Sequence, residues 1–249
     1  MNYIESIILG IVQGVSEFLP ISSSGHLFLI GKLGIMDTEV SLFFNIMLHL
    51  GSLLAVIIVF WDKVKFVIKH PLSDLTKHIV IASIPTVIIV GILRFFFKNT
   101  LEGSLLPLGF AVTTVFLIST KLVKPKKDHV NTRSSLFIGI AQGFAAIPGI
   151  SRSGSTIATA QIAGVEREES GNFSFLISIP IIIGSALFET LAIDKTALNI
   201  DFLPIFIGAL FAFLSGYLAL KILIKVIKKS KLHYFAFYTF ALTIFSLFI

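Results

Sequence analysis

The chain has 249 residues, 55% of them hydrophobic and only 14% charged, with 25 phenylalanines and a mean hydropathy of +0.95; these values exclude a soluble globular domain and predict an all-α polytopic membrane protein, one integral membrane domain over residues 1–249. With no cysteine, a disulfide framework, a thiolate zinc site and a cysteine nucleophile are excluded. The net charge of +6 does not indicate a nucleic-acid partner, because Lys and Arg sit in short stretches between apolar runs, where a basic bias orients a membrane protein.

In chain order, MNYIESIILGIVQG has no basic start, carries Glu5 and lacks a small-residue cleavage site, so it is expected to belong to the mature protein. The apolar region 3–33 that it opens is broken near its middle at LPISSSGH. Runs follow over 42–61, 77–97 and 104–122, then a second broken region, 134–163, interrupted at IPGISRSGST, and finally runs over 173–193, 203–224 and 232–249. A spanning helix needs about 20 apolar residues, which the six unbroken runs provide and the halves of the broken regions do not. The expected architecture is six transmembrane helices plus two re-entrant broken-helix hairpins. Irregular backbone at that depth is tolerated only inside protein or against a wet cavity.

Loop charges set the orientation. Lys63, Lys65, Lys69 and Lys77 flank one loop, Lys121, Lys124, Lys126, Lys127 and Arg133 another, and Lys221, Lys225, Lys228, Lys229 and Lys231 a third. With six spans all three fall on one side, which the positive-inside bias makes cytoplasmic. The outer loops, around Lys98 and Lys195, are poor in basic residues. The expected location is the plasma membrane, with the EFLPISSSGH segment opening to the outer face.

The two broken regions are copies. Laying residue n over residue n+129 pairs Gly10 with Gly139, Ile11 with Ile140, Gln13 with Gln142, Gly14 with Gly143, Ile21 with Ile150, Ser22 with Ser151, Ser24 with Ser153 and Gly25 with Gly154, and continues through Glu39/Glu168, Ser41/Ser170 and Phe44/Phe173. The repeats cover about 1–125 and 130–249. Three spans separate them, an odd number, so the second copy is expected to be inverted, an arrangement that places a site near the bilayer midplane. The copies differ where chemistry would want them to: Glu17 faces Ala146, Ser23 faces Arg152 and His26 faces Ser155.

Gln13 and Glu17, four residues apart, share a helix face before Pro20. A charged Glu in the bilayer costs about 2.5–3.5 kcal/mol on insertion scales, so Glu17 needs either an ion-pair partner, for which Arg152 is the candidate, or a role as base or ligand of a divalent cation. Ser22, Ser23 and Ser24 before Gly25, and Ser151 and Ser153 before the second half-helix, exceed what N-capping requires. Two such helix N-termini facing each other form an anion site, most naturally for phosphate, to which Arg152 adds bidentate contacts. His26 alone would be expected to bond a neighbouring carbonyl; beside Glu17, the serines and Arg152 it becomes a candidate for acid–base or nucleophilic chemistry. His49 and Glu189 have no motif around them and are expected to make interhelical hydrogen bonds. The acidic run EREES, 166–170, is expected to be a solvated turn on the inner side.

At these residues the chain resembles the undecaprenyl-diphosphate phosphatase family, the bacitracin-resistance membrane phosphatases, whose motifs of the form EGLTEFLP and PGxSRSGxT read here as QGVSEFLPISSSGH and IPGISRSGST. The resemblance covers essentially the whole length. It implies hydrolysis of a polyprenyl diphosphate to the monophosphate and phosphate, a site open to the outer face, a divalent cation (Mg2+ or Ca2+) and a homodimer. It marks Glu17, Ser23, His26 and Arg152 as the active core, Glu17 as metal ligand, and Ser22, Ser151, Ser153 and Thr156 as a supporting shell. Gln13 stands where some members have a first glutamate, which weakens a metal-binding role at that position. Phosphoryl transfer could proceed through Ser23 or through water activated by Glu17. The rival reading is a transporter or flippase for polyprenyl phosphate, since inverted repeats around a midplane site are transporter architecture.

Overall fold

The structure, a computed structural model, describes residues 2–34, 42–101, 103–123, 129–191 and 201–249. Glu39, Ser41, Lys124, Lys126, Lys127 and Lys195 lie outside the described residues. Among the described residues all regular structure is helical: α1 Tyr3–Phe18, α2 Ser23–Lys32, α3 Leu42–Val59, α4 Trp61–Lys69, α5 Asp74–Phe96, α6 Lys98–Leu101, α7 Leu106–Leu122, α8 Thr132–Phe144, α9 Arg152–Ile162, α10 Arg167–Leu191, α11 Phe202–Lys228 and α12 Phe235–Ser246. Four of these, α3, α5, α10 and α11, are long and apolar enough to cross a membrane; α7 and α12 are shorter apolar helices.

The breaks fall where the sequence places them. α1 stops at Phe18 because Pro20 disfavours helix for the residue before it and cannot donate to a helical ladder. The chain restarts at Ser23 with Ser22 as N-cap, its Oγ accepting from Gly25 N at 3.3 Å. In the second copy Pro148 and Gly149 follow α8, and Ser151 caps α9 by accepting from Gly154 N at 3.1 Å. One asymmetry is local: Ser22 holds φ at 68°, a conformation that L residues avoid, whereas Ser151 has φ −76°.

Elements recur at the 129-residue offset, α1 with α8, α2 with α9, α3 with α10, α5 with α11 and α7 with α12. The packing crosses between copies. α1 lies chiefly on α11, and α8 on α5. Small residues permit this close approach: a Cβ on Gly10 or Gly14 would run into the α11 backbone at Gly208 and Ala212, and one on Gly139 into the Ala82 carbonyl. Each contact is tied by a matching hydroxyl. Thr86 donates to Ala82 O and Gly139 O, both 2.9 Å, and Ser215, at the equivalent position, to Phe211 O at 2.6 Å and Gly10 O at 3.4 Å. The two half-helix starts pack likewise, Gly25 on Gly149 and Gly154 on Pro20.

The largest apolar core gathers Phe18, Phe60, Phe173, Phe175, Leu220 and Leu223, with Phe175 stacked on Phe60 and edge-on to Phe18. The acidic run departs from expectation. Rather than a turn, residues from Arg167 onward form the first turn of α10, where negative charge favours the helix dipole. Glu169 pairs with Lys63 at 3.7 Å and Glu168 with Lys228 at 2.9 Å, so two of the lysine-rich stretches meet this acidic turn at one end of the molecule.

Candidate active site

Four elements converge on one carboxylate. Glu17 stands one residue from the end of α1 and is 8% exposed. Ser23 and Arg152 are the first residues of α2 and α9, equivalent positions in the two copies, and they reach Glu17 from opposite sides: Ser23 Oγ donates to Oε2 at 2.6 Å, and Arg152 Nη2 is hydrogen-bonded and ion-paired to Oε1. One turn back on α1, Gln13 Nε2 donates to Glu17 Oε2 at 3.1 Å and to His49 Nδ1, on α3, at 2.9 Å. His49 Nδ1 itself lies 3.7 Å from Glu17 Oε2.

This cluster lines a cavity of about 380 Å³ whose wall includes Glu17, Ser22, Ser23, Ser24, His49, Ser151 and Arg152, and further along Thr86, Gln142, Arg94 and Glu189. Ser22 Oγ ties the two breaks together by accepting from Gly149 N at 3.2 Å as well as from its own helix. Thr113 does the same from α7, donating to Gly149 O and accepting from Ser151 N, both at 2.8 Å. Two capped helix N-termini thus face one small polar space, and neither can move without breaking bonds to the other. Such an arrangement suits a phosphoryl group, because N–H dipoles, hydroxyls and a guanidinium converge without reorganisation.

Other residues of the sequence reading have a supporting place. Gly25, Ser153 and Thr156 are buried and do not line the cavity. Ser153 Oγ contacts Ser151 Oγ at 3.3 Å, Ser24 Oγ contacts Ser22 Oγ at 3.4 Å, and Thr156 anchors the start of α9 through Arg152 O at 2.7 Å and Ser174 Oγ at 2.5 Å. His26 lies elsewhere. Its Nδ1 bonds Ser22 O and its Nε2 the hydroxyl of Tyr238, both at 2.7 Å, and its ring stacks on Tyr238 and stands edge-on to Phe110. The imidazole beside Glu17 belongs instead to His49, which makes the expected interhelical bond, to Gln13, and also faces the cavity. Glu189 likewise makes its interhelical contact, an ion pair with Arg94 at 2.5 Å.

Among the described residues no three His, Cys, Asp or Glu side chains form a cluster that could hold a metal by themselves. A smaller donor set lines the cavity, the Glu17 carboxylate and the His49 ring; the Gln13 amide oxygen is buried without a hydrogen-bond partner, and turning the amide over would present it to them in place of Nε2. That set fits a hard divalent cation that takes its remaining oxygens from a phosphate ligand.

Known proteins are similar to this chain over nearly its whole length. Relatives named undecaprenyl-diphosphatase include one from Carboxydothermus hydrogenoformans, 38% identical over 97% of this chain and 95% of the relative, and one from Halothermothrix orenii, 42% identical over 96% and 94%. A Bacillus cereus protein named undecaprenyl-diphosphatase 4 is 37% identical over 98% of this chain and 96% of its own. The family model for the bacitracin resistance protein BacA matches residues 6–245, and the chain belongs to that family.

Proposed function

We propose that this membrane protein removes the terminal phosphate of undecaprenyl diphosphate, releasing the monophosphate lipid carrier and inorganic phosphate. The observation that carries the reading is the Ser23 hydroxyl donating to Glu17 at 2.6 Å beside Arg152, in a cavity where two helix N-termini meet. A carboxylate placed to take a hydroxyl proton, with cationic and N–H groups around the same space, is a nucleophile with its base and its charge stabilisers. Anion binding alone would need the stabilisers but not the carboxylate base.

The geometry favours serine over water as the attacking group. Ser23 Oγ passes its proton to Glu17 as the bond from Oγ to the terminal phosphorus forms and the bond to the bridging oxygen breaks, so that the lipid monophosphate leaves as an anion. Water then attacks the phosphoserine phosphorus, the Oγ–phosphorus bond breaks and the serine regains a proton. Arg152, the cap hydroxyls of Ser22 and Ser151, and the free N–H groups at the starts of α2 and α9 hold the phosphoryl oxygens in place. His49 and Gln13 keep the Glu17 carboxylate oriented.

The formal charges of the lining cancel: Arg94 and Arg152 against Glu17 and Glu189. A diphosphate therefore enters a cavity with no net positive charge, which supports a requirement for a divalent cation such as Mg2+ or Ca2+, held by Glu17, His49 and Gln13. When bound, it would neutralise phosphoryl charge.

The six-span topology with two re-entrant hairpins, the inversion of the second copy and a site opening to the outer face of the plasma membrane are supported by the lysine-rich stretches meeting the acidic turn at one end of the molecule. A homodimer follows from the family resemblance. The test is phosphate release from undecaprenyl diphosphate by purified protein, with and without divalent cation, and capture of a phosphorylated Ser23 peptide after an acid quench. Cation-dependent release with labelled Ser23 is expected. Release without label from wild type, together with an active Ser23→Ala variant, would move the attack to water.

A further inference from the structure

The ion pair between Arg94 and Glu189 is not used by the chemistry above, and its position asks for an explanation. Both residues lie in the last turns of apolar helices, α5 and α10, and both line the same cavity as Glu17 and Arg152. The duplicated framework does not need them. At the equivalent positions in the other copy stand Leu223 and Phe60, 0% and 6% exposed, which pack as plain core. The pair is thus present only where the cavity is.

Its geometry is that of a held but available cation. Arg94 Nη2 meets one oxygen of Glu189 at 2.5 Å, and the guanidinium lies over the Phe188 ring, 4.9 Å from its centroid. Among the described residues its other N–H groups have no protein acceptor, and the side chain is 33% exposed, towards the cavity. A partly exposed ion pair contributes little to stability, whereas charge within an apolar segment is costly enough to mark function. Glu189 is fixed on its own side by Ser185 Oγ, which donates to the same oxygen at 3.3 Å.

We infer that Arg94 is the second cationic arm for the lipid diphosphate headgroup, and that Glu189 is its resting counter-ion, exchanged for an oxygen of the phosphoryl group that stays on the lipid. Arg152 and the helix starts hold the phosphoryl group that is attacked; Arg94 holds the other. The consequence is selectivity. A diphosphate engages both arginines, whereas after hydrolysis inorganic phosphate engages only Arg152 and the lipid monophosphate only Arg94, so each product is held by one arm and Arg94 returns to Glu189 when the monophosphate leaves.

This assignment rests on the phosphatase reading of the same cavity. It is tested by binding of a farnesyl methylenediphosphonate, which cannot be hydrolysed at the bridge, and of inorganic phosphate, to wild type, Arg94→Gln and Glu189→Gln, with phosphate release from undecaprenyl diphosphate measured on the same preparations. Arg94→Gln is expected to weaken the diphosphonate about ten- to a hundredfold, the value of a lost charge-assisted hydrogen bond, and inorganic phosphate, held on the Arg152 side, less than about twofold. Glu189→Gln, which breaks the same ion pair from the other side, should hold the diphosphonate at least as tightly as wild type. The inference is overturned if Arg94→Gln weakens both ligands equally or neither, or if Glu189→Gln weakens the diphosphonate as Arg94→Gln does, which would make the pair structural. If wild type releases phosphate while Arg94→Gln binds normally, only the role of Arg94 falls; if wild type neither binds nor hydrolyses, the phosphatase reading falls with it.

Discussion

Replacing Glu17 by Gln keeps the shape of the site and removes its one central negative charge. Glu17 accepts from Gln13, Ser23 and Arg152, and its side chain is 7% exposed, with that of Arg152 at 16%. The substitution therefore strands a largely buried guanidinium, a change worth about 3–5 kcal/mol. At about 2–4 °C per kcal/mol for a chain of this size, Tm should fall by roughly 6–20 °C in thermal unfolding of detergent-purified protein. Two further measurements isolate the cause. Adding Arg152→Met removes the stranded charge and should recover most of the lost stability without any activity. Inorganic phosphate, which can take the place of the missing carboxylate beside Arg152, should raise Tm of Glu17→Gln more than that of wild type. Unchanged stability in the single variant, or a double variant no more stable than the single, would refute the claim that Glu17 and Arg152 form a desolvated pair. Turnover should drop by about a hundredfold or more, the usual contribution of a positioned base.

Three other outcomes follow from the packing and the donor set. Gly139→Ala places a methyl against the Ala82 carbonyl and should cost about 1–3 kcal/mol or prevent folding, whereas Gly184→Ala, with no atom within 4 Å of the new carbon, should stabilise by about 0.5–1 kcal/mol; unfolding of the two purified variants compares them. Ser22→Gly and Ser22→Ala both lose the hydroxyl that bonds Gly25 and Gly149, but only alanine keeps the strain at φ 68°, so the glycine variant should be the more stable by about 1–2 kcal/mol, and equal unfolding temperatures would show that the backbone there is not strained. Gln13→Glu sets a second carboxylate beside Glu17 and should tighten Mn2+ binding at least about tenfold by electron paramagnetic resonance; no change would place the cation away from Gln13.

The parts of the site legible in the sequence are those with a local signal. Pro20 and the Pro148–Gly149 pair end their helices through covalent geometry, the serines before Gly25 and Gly154 announce caps, and the repeat places Ser23 opposite Arg152. The Glu17–Arg152 pair followed from the general need to neutralise an intramembrane charge. His49 and Arg94 were not assigned to the site because α3 and α5 bring them there only through packing across the chain. Their signal was weak but present: each is a polar residue inside an apolar run, and Arg94 has a charge complement, Glu189, in another. His26 shows the opposite limit. Nearness to Glu17 along the chain fixed neither the direction of its ring nor its partner, and the partner is Tyr238, more than 200 residues away. The acidic run fits a solvated turn and a helix start alike, because negative charge before an apolar run also marks the first turn of a helix.

The exchange of partners between the copies has a consequence for how the protein is made. α1, which carries Glu17, rests on α11, so its partner surface does not exist until residues 19–201 have been synthesised. At about 5–20 residues per second that is on the order of ten to forty seconds. During this time α1 must wait at the membrane with a glutamate and an open glycine face, the state in which insertion helpers and quality-control proteases would meet it. Conversely, the halves should complement each other when produced as two separate chains broken between α7 and α8, because each supplies the cradle for the other's first helix, α11 for α1 and α5 for α8. Neither half alone can close its own.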